Sequence, residues 1–303
     1  MPPAILSSRA RRLRAGIACA VLLALAGYLV AHLETGGSGP PRCVARTDGA
    51  SVALDPEQGV NAATIAAVAS ARGLPERAVT IALATAMQES GLRNIRRGDR
   101  DSLGLFQQRP SQGWGSARQI LDPVYSTGAF YDHLVRVPGY SRLPLTVAAQ
   151  RVQRSGYPQA YAKHETDAAV LTDVLTGRTA GAFTCPGPPD DGKAGDVARV
   201  RARLVREFGP EVLPDGAGPA GGGEHAGGGR DVVLPVPAVP DAGGGNPDRR
   251  GWELAHWAVA HSDGLRIERV SYRGRVWSAA ESGKGWRTAE GISGAEVRIS
   301  VAQ

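Results

Sequence analysis

Glu89 is the residue of this sequence best placed to do chemistry. It closes an almost wholly apolar run, Ala78 to Met87, and is followed by Ser90-Gly91. Downstream lies Ser102-Leu103-Gly104-Leu105-Phe106-Gln107-Gln108. This order suits a buried helix that delivers one carboxylate into a cleft. Cleaving a glycosidic bond requires a proton donor for the leaving oxygen. A free glutamate, with a pKa near 4.3, is a poor acid at neutral pH. Burial on an apolar helix disfavours its charged form, and so does the negative end of the helix dipole, which contributes roughly 0.3–1 kcal/mol. Both effects push Glu89 toward the role of general acid. Taken alone, a Glu before Ser-Gly is commonly a solvated helix end. The downstream segment is what lifts it above that reading.

Other chemistries find little support. The formal charge of +6 over 303 residues is too modest to argue for nucleic acid. No CxxC, HExxH or Gly-rich phosphate loop is present. The six histidines, His32, His133, His164, His225, His256 and His261, do not pair with cysteines at ligand spacing, and His256 and His261 face different sides of a helix. Neither a metal nor a cofactor is expected.

The elements that must position Glu89 follow from patterning. Asn61 to Arg72 reads as a helix stopped by Gly73. Pro75 opens the next, whose apolar residues cover every side, as in a buried helix. Arg93 to Gly115 reads as a structured loop with a short hairpin near Ser102 to Gln108. Asp122 to Val135, Thr146 to Arg154 and Tyr161 to Leu175 look helical. The fold class expected is mainly α, with residues 43–187 as one helical domain. Cys43 and Cys185 bracket it, and their pairing would stabilise it by roughly 4–5 kcal/mol.

Residues 188–247 hold 14 Gly and 9 Pro, a composition that reads as a linker. Within them Asp196 to Phe208 aligns Val197, Val200, Leu204 and Phe208 as one amphipathic helix. Residues 248–303 read as a small α+β module. It has a helix over Trp252 to His261 and strands at Ile267 to Tyr272, Arg275 to Ala279 and Glu296 to Val301. Four of the five tryptophans lie there. Trp252 and Trp277 are assigned to its core, while Trp257 and Trp286 stay open as core or glycan-binding residues.

At the N-terminus, residues 1–14 are basic, with Arg9, Arg11, Arg12 and Arg14. Residues 15–33 are apolar and long enough for a transmembrane signal-anchor, with 34–42 as a tether. On that reading the chain is a single-pass membrane protein, touching lipid through this helix, with everything after Leu33 extracytoplasmic. A cleaved signal peptide is the competing reading.

Glu89-Ser90-Gly91 with Gly104-Leu105-Phe106-Gln107 resembles the Glu-Ser-Gly and Gly-Leu-Met-Gln motifs of soluble-type lytic transglycosylases. The stretch from Ala82 to Tyr161 is similar to that domain in membrane-anchored actinobacterial cell-wall proteins. The resemblance implies a lysozyme-like fold and cleavage of peptidoglycan glycan strands, with the sugar's own 6-hydroxyl giving a 1,6-anhydro product. It implies Glu89 as acid and then base, Ser90 orienting the Glu89 loop, and Gln107 and Gln108 bonding substrate. Trp114 and Tyr131 are candidates to stack on sugar faces, with core packing as the equal alternative. The family's Tyr-Asn-Ala-Gly motif is missing: Val152 to Gly156 reads Val-Gln-Arg-Ser-Gly, so Tyr157 and Tyr161 are the candidates to replace its tyrosine. That departure keeps a second hypothesis open, a non-catalytic wall-binding or scaffolding protein. Asp99 and Asp101 could hold a water for hydrolysis, but a turn or Arg-pairing role suits Gly-Asp-Arg-Asp-Ser better.

Overall fold

The computed structural model describes residues 8–34, 41–156, 158–213, 229–236, 247–292 and 294–303. The chain divides into two units, Met1–Pro41 and Arg42–Gln303. The first contains helix α1, Ser8–Glu34. Its described apolar side chains, among them Ile17, Leu23 and Tyr28, are exposed. The expected membrane anchor is corrected here: among the described residues no helix is long and apolar enough to cross a membrane. The helix starts upstream of the apolar run, so the four N-terminal arginines lie within it, and it runs on through His32 to Glu34. The single-pass membrane placement falls with the anchor.

The second unit opens with strands β1 (Cys43–Arg46) and β2 (Ser51–Leu54), then helices α2 (Pro56–Ala71) and α3 (Glu76–Ser90). Helices α4 (Ala117–Ile120), α5 (Pro123–Leu134), α6 (Leu145–Gln153) and α7 (Glu165–Leu175) follow, and then strand β3 (Phe183–Thr184). Beyond it come α8 (Val197–Phe208), β4 (Asp231–Pro235), α9 (Pro247–Ala260), α10 (Ser262–Leu265), β5 (Ile267–Tyr272), β6 (Arg275–Ser278), β7 (Arg287–Thr288) and β8 (Glu296–Val301). Two antiparallel sheets result, ordered β2-β1-β3 and β4-β8-β5-β6-β7. The mainly α class is therefore corrected to a mixed one. The missed strands β1 and β2 are four residues each, too short to display a period, although β2 buries Val52 and Leu54 alternately.

Helix α2 is the hub. Its buried face is mostly alanine, so α3, α5, α7, α8 and α9 all pack against it. Cys43 and Cys185 form a disulfide that joins β1 to the end of β3. Gly59 on α2 makes room for it, since a Cβ there would lie 2.7 Å from Cys43 Sγ.

Two parts of the stretch read as linker are ordered. Helix α8 buries Val200, Leu204 and Phe208, and β4 pairs with β8 from Asp231↔Ser300 to Pro235↔Glu296. The expectation for 248–303 as a separate module likewise gives way, because α9 packs on α2 and α7. His256, wholly buried on α9, fixes this contact. Its Nδ1–H donates to Val174 O (2.8 Å) and its Nε2 accepts from the Ala182 N–H (3.1 Å). Burial pushes its pKa down to about 4, so it is neutral.

Trp252, Trp257 and Trp277 are core residues, and Trp286 is half-buried. Trp277 Nε1 donates to Thr184 Oγ1 (3.1 Å) and Trp286 Nε1 to Phe183 O (2.8 Å). These tryptophans fasten the C-terminal sheet to β3, which leaves their indoles committed to the fold.

Candidate active site

Glu89 lies one residue before the end of α3, where Gly91 adopts a left-handed conformation (φ 62°). The Gly91 N–H bonds Met87 O (3.0 Å) and the Leu92 N–H reaches back to Ala86 O (3.1 Å), a Schellman-type closure with Leu92 buried beneath it. Two α2 side chains hold the turn from the other side. Gln58 Nε2 donates to Gly91 O (2.7 Å) and the buried Asn61 Nδ2 to Leu92 O (2.8 Å). Ser90 Oγ donates to Leu105 O (2.7 Å), which ties the helix end to the hairpin closed by Leu103 and Gln108. The hairpin approaches its neighbours closely at Gly104, where a Cβ would lie 2.6 Å from Ile120 O.

Around the carboxylate two neutral donors converge. Tyr161 Oη donates to Glu89 Oε1 (2.7 Å). The Gln153 amide lies beside Glu89 and favours its charged form, while its Nε2 donates to Phe106 O (2.7 Å). Burial raises the pKa of Glu89 above its ordinary 4.5, and the bonds from Tyr161 and Gln153 partly oppose that rise. Burial likewise pushes the Tyr161 phenol upward, so it stays a donor. Beside them, His164 Nε2 meets Gln88 Oε1 at 3.2 Å.

The structure sorts the residues singled out in the sequence. Glu89, Ser90 and Tyr161 come together as one site. Gln107, in left-handed backbone (φ 47°), folds back to donate to Gly104 O (3.2 Å) and lies over Gly98. Gln108 is buried and donates to Ser126 O (2.9 Å), so it anchors the hairpin to α5 and is not free to bond a substrate. Tyr131 is also corrected: it is wholly buried and its hydroxyl donates to Ile65 O (3.1 Å), so no sugar can reach its ring. Trp114 is half-buried and stacks on His133 with ring centroids 4.1 Å apart. Asp101 accepts from Arg109 Nε (2.7 Å) and the Ser111 N–H (2.8 Å), and Asp99 projects into solvent. Tyr157 lies outside the described residues.

Gln153 escaped the sequence reading. Its signal was positional: it lies at the end of α6, in the stretch where the resembled family carries Tyr-Asn. Tyr161 supplies the hydroxyl from the following turn, Pro158–His164.

Residues 190–298 match the family described as VldE, C-terminal domain. The matched stretch starts ahead of α8 and ends within β8, so it leaves Glu89, Gln153 and Tyr161 outside. No curated protein matches the chain.

Proposed function

We propose that this protein cleaves peptidoglycan glycan strands by lytic-transglycosylase-type chemistry, with Glu89 as the general acid and then the base. The observation that carries the reading is the environment of Glu89. It is a half-buried carboxylate with a raised pKa, held by the Tyr161 hydroxyl beside the Gln153 amide and, among the described residues, by no cation. Tyr161 occupies Oε1, which leaves Oε2 to deliver its proton to the glycosidic oxygen. Once that bond breaks, Glu89 is a carboxylate again, stabilised by Tyr161 and Gln153. It then takes the proton of the sugar's own 6-hydroxyl as that oxygen closes on C1. No second protein carboxylate is needed for this route.

Hydrolysis through Asp101 loses support, because Ser111, through its side chain and N–H, and Arg109 hold that carboxylate well below the usual range. A non-catalytic glycan-binding protein is the second reading. It is favoured by Gln153, whose amide crosses to the Phe106 carbonyl at the edge of the site. The test is digestion of purified peptidoglycan by the full chain, wild type beside Glu89→Gln, with products read by mass spectrometry. The proposal expects anhydro-ended fragments from the wild type and a loss of about 10²–10⁴-fold in the variant. Fragments with reducing ends would point to hydrolysis. No fragments from either, with binding intact, would favour the second reading.

A further inference from the structure

From Glu89 a chain of contacts leads to the C-terminal end of α6 and through the core to α5. Gln153 links Glu89 to Phe106, and Phe106 stacks on Phe130 of α5 with centroids 4.6 Å apart. One turn further along α5, His133 stacks on Trp114, which the loop leaving the hairpin carries. Arg154 follows Gln153 directly. It takes a left-handed backbone (φ 52°), and its N–H closes α6 on Gln150 O (2.8 Å). A residue with a Cβ pays roughly 1–2 kcal/mol for that conformation. Arg136 follows His133 by one turn, its N–H bonded to His133 O (3.2 Å).

Both guanidiniums are exposed and, among the described residues, neither is in an ion pair. The acids nearby are taken: Asp132 by Arg72, Asp101 by Arg109 and Asp122 by Arg206. Between Gly91 and Gly156 the sequence has ten arginines against four aspartates and no lysine or glutamate. That stretch carries a net charge of +6, ten arginines less four aspartates. Partial burial and Arg136 lower the His133 pKa, Asp132 opposes them and Arg154 adds to the lowering, so both guanidiniums lie within electrostatic reach of the imidazole. The stack is then an aromatic face flanked by two forked donors.

We propose that Trp114 and His133, with Arg136 and Arg154, form a subsite for a sugar unit bearing an anionic group, a carboxylate or a phosphate ester. The proposal deepens the glycan-cleavage reading and rests on it for the identity of the polymer. A ring face packs on the aromatic pair, and the guanidiniums take the anion in paired, charge-assisted hydrogen bonds. The subsite would select charged glycan strands over neutral ones of equal length.

The experiment is calorimetric binding to the full chain carrying Glu89→Gln, so that no probe is consumed. The probes are a muramyl-peptide tetrasaccharide with free carboxylates, a tetramer of N-acetylglucosamine, and a glycan bearing phosphate esters. The result expected is a preference of about tenfold or more for an anionic probe over the neutral one, erased in Arg136→Gln/Arg154→Gln and weakened by salt. Comparison of the carboxylate and phosphate probes identifies the source of the anion. Equal affinity for neutral and anionic probes, or a preference that survives the double substitution, would overturn the proposal. Tighter binding of a single-stranded oligonucleotide than of any glycan would do so as well. If wild-type protein releases no fragments from peptidoglycan yet the arginine-dependent preference holds, the cleavage reading fails and the subsite stands.

Discussion

Glu89 and Glu207 are both glutamates near the C-terminal end of a helix, yet their surroundings drive them in opposite directions. Around Glu89 the partners are neutral: the Tyr161 phenol and the Gln153 amide. Burial then dominates, and the proton is held more tightly than in a free glutamate. Around Glu207 burial is outweighed by charge. Arg203 and His261 face Oε1, and Trp257 Nε1 donates to Oε2 (2.8 Å). His261 Nδ1 lies 2.9 Å from Trp257 O, so its other nitrogen is the one turned to the carboxylate. His261, the Arg203 guanidinium and the Trp257 donor hold Glu207 below the usual carboxylate range. The lesson is that burial alone does not make an acid. Burial beside neutral donors does, and burial beside cations makes a fixed anion that braces the fold.

Exchanging each glutamate for glutamine separates the two roles with the largest expected effect. Glu207→Gln leaves Arg203 and His261 facing a neutral amide in a buried pocket, and should cost about 3–5 kcal/mol in denaturant unfolding. Glu89→Gln should leave stability almost unchanged while cutting fragment release by about 10²–10⁴-fold. If Glu207→Gln unfolded at the wild-type denaturant midpoint, its partners would not be bracing the fold.

His256 provides a third buried group for the comparison, with backbone partners alone. Its folded pKa of about 4 lies below its ordinary 6.5. The stability it supports is therefore complete above about pH 6.5 and is lost as pH falls toward 4. The loss amounts to roughly 3 kcal/mol across that window. His256→Gln keeps a donor and an acceptor but cannot titrate, so its unfolding free energy should lack that slope. An unchanged slope in the variant would assign the acid sensitivity to other groups.

Tyr161→Phe is the smallest of these perturbations. It removes a donor that favours the carboxylate, so the Glu89 pKa should rise further. A reaction that needs the protonated acid fails as pH climbs through that pKa, so the alkaline limb should move up in the variant. Activity at the optimum should fall by about tenfold, as one charge-assisted hydrogen bond is lost. A limb that stayed in place would mean that Tyr161 does not sense the charge on Glu89.

Much of this arrangement could be read from the sequence, because local signals and tertiary structure agree there. The apolar run into Glu89, the left-handed Gly91, the hairpin at Ser102 to Gln108 and strands β5 and β8 all follow from period and turn chemistry. The Cys43–Cys185 pairing was legible as well. What stayed hidden depends on partners distant in sequence. Tyr131 and Gln108 look like site residues until Ile65 O and Ser126 O appear as their acceptors. Helix α8 was legible from its apolar spacing, whereas Gly and Pro at 188–247 conceal strand β4, whose order comes from β8. Glu207 sits on α8 without a motif to mark it, and its role emerges when α9 brings His261 and Trp257 against it.

The sharpest test of Glu89 as a proton donor is carboxyl carbon NMR of the full chain, with the Glu89 and Glu207 signals assigned by substitution and followed through a pH titration. Glu89 should titrate above 4.5, with its midpoint rising further in Tyr161→Phe, while Glu207 stays ionised well below that value. A Glu89 midpoint at or below that of a free glutamate would mean that the carboxylate is charged at working pH, and its role as general acid would be lost.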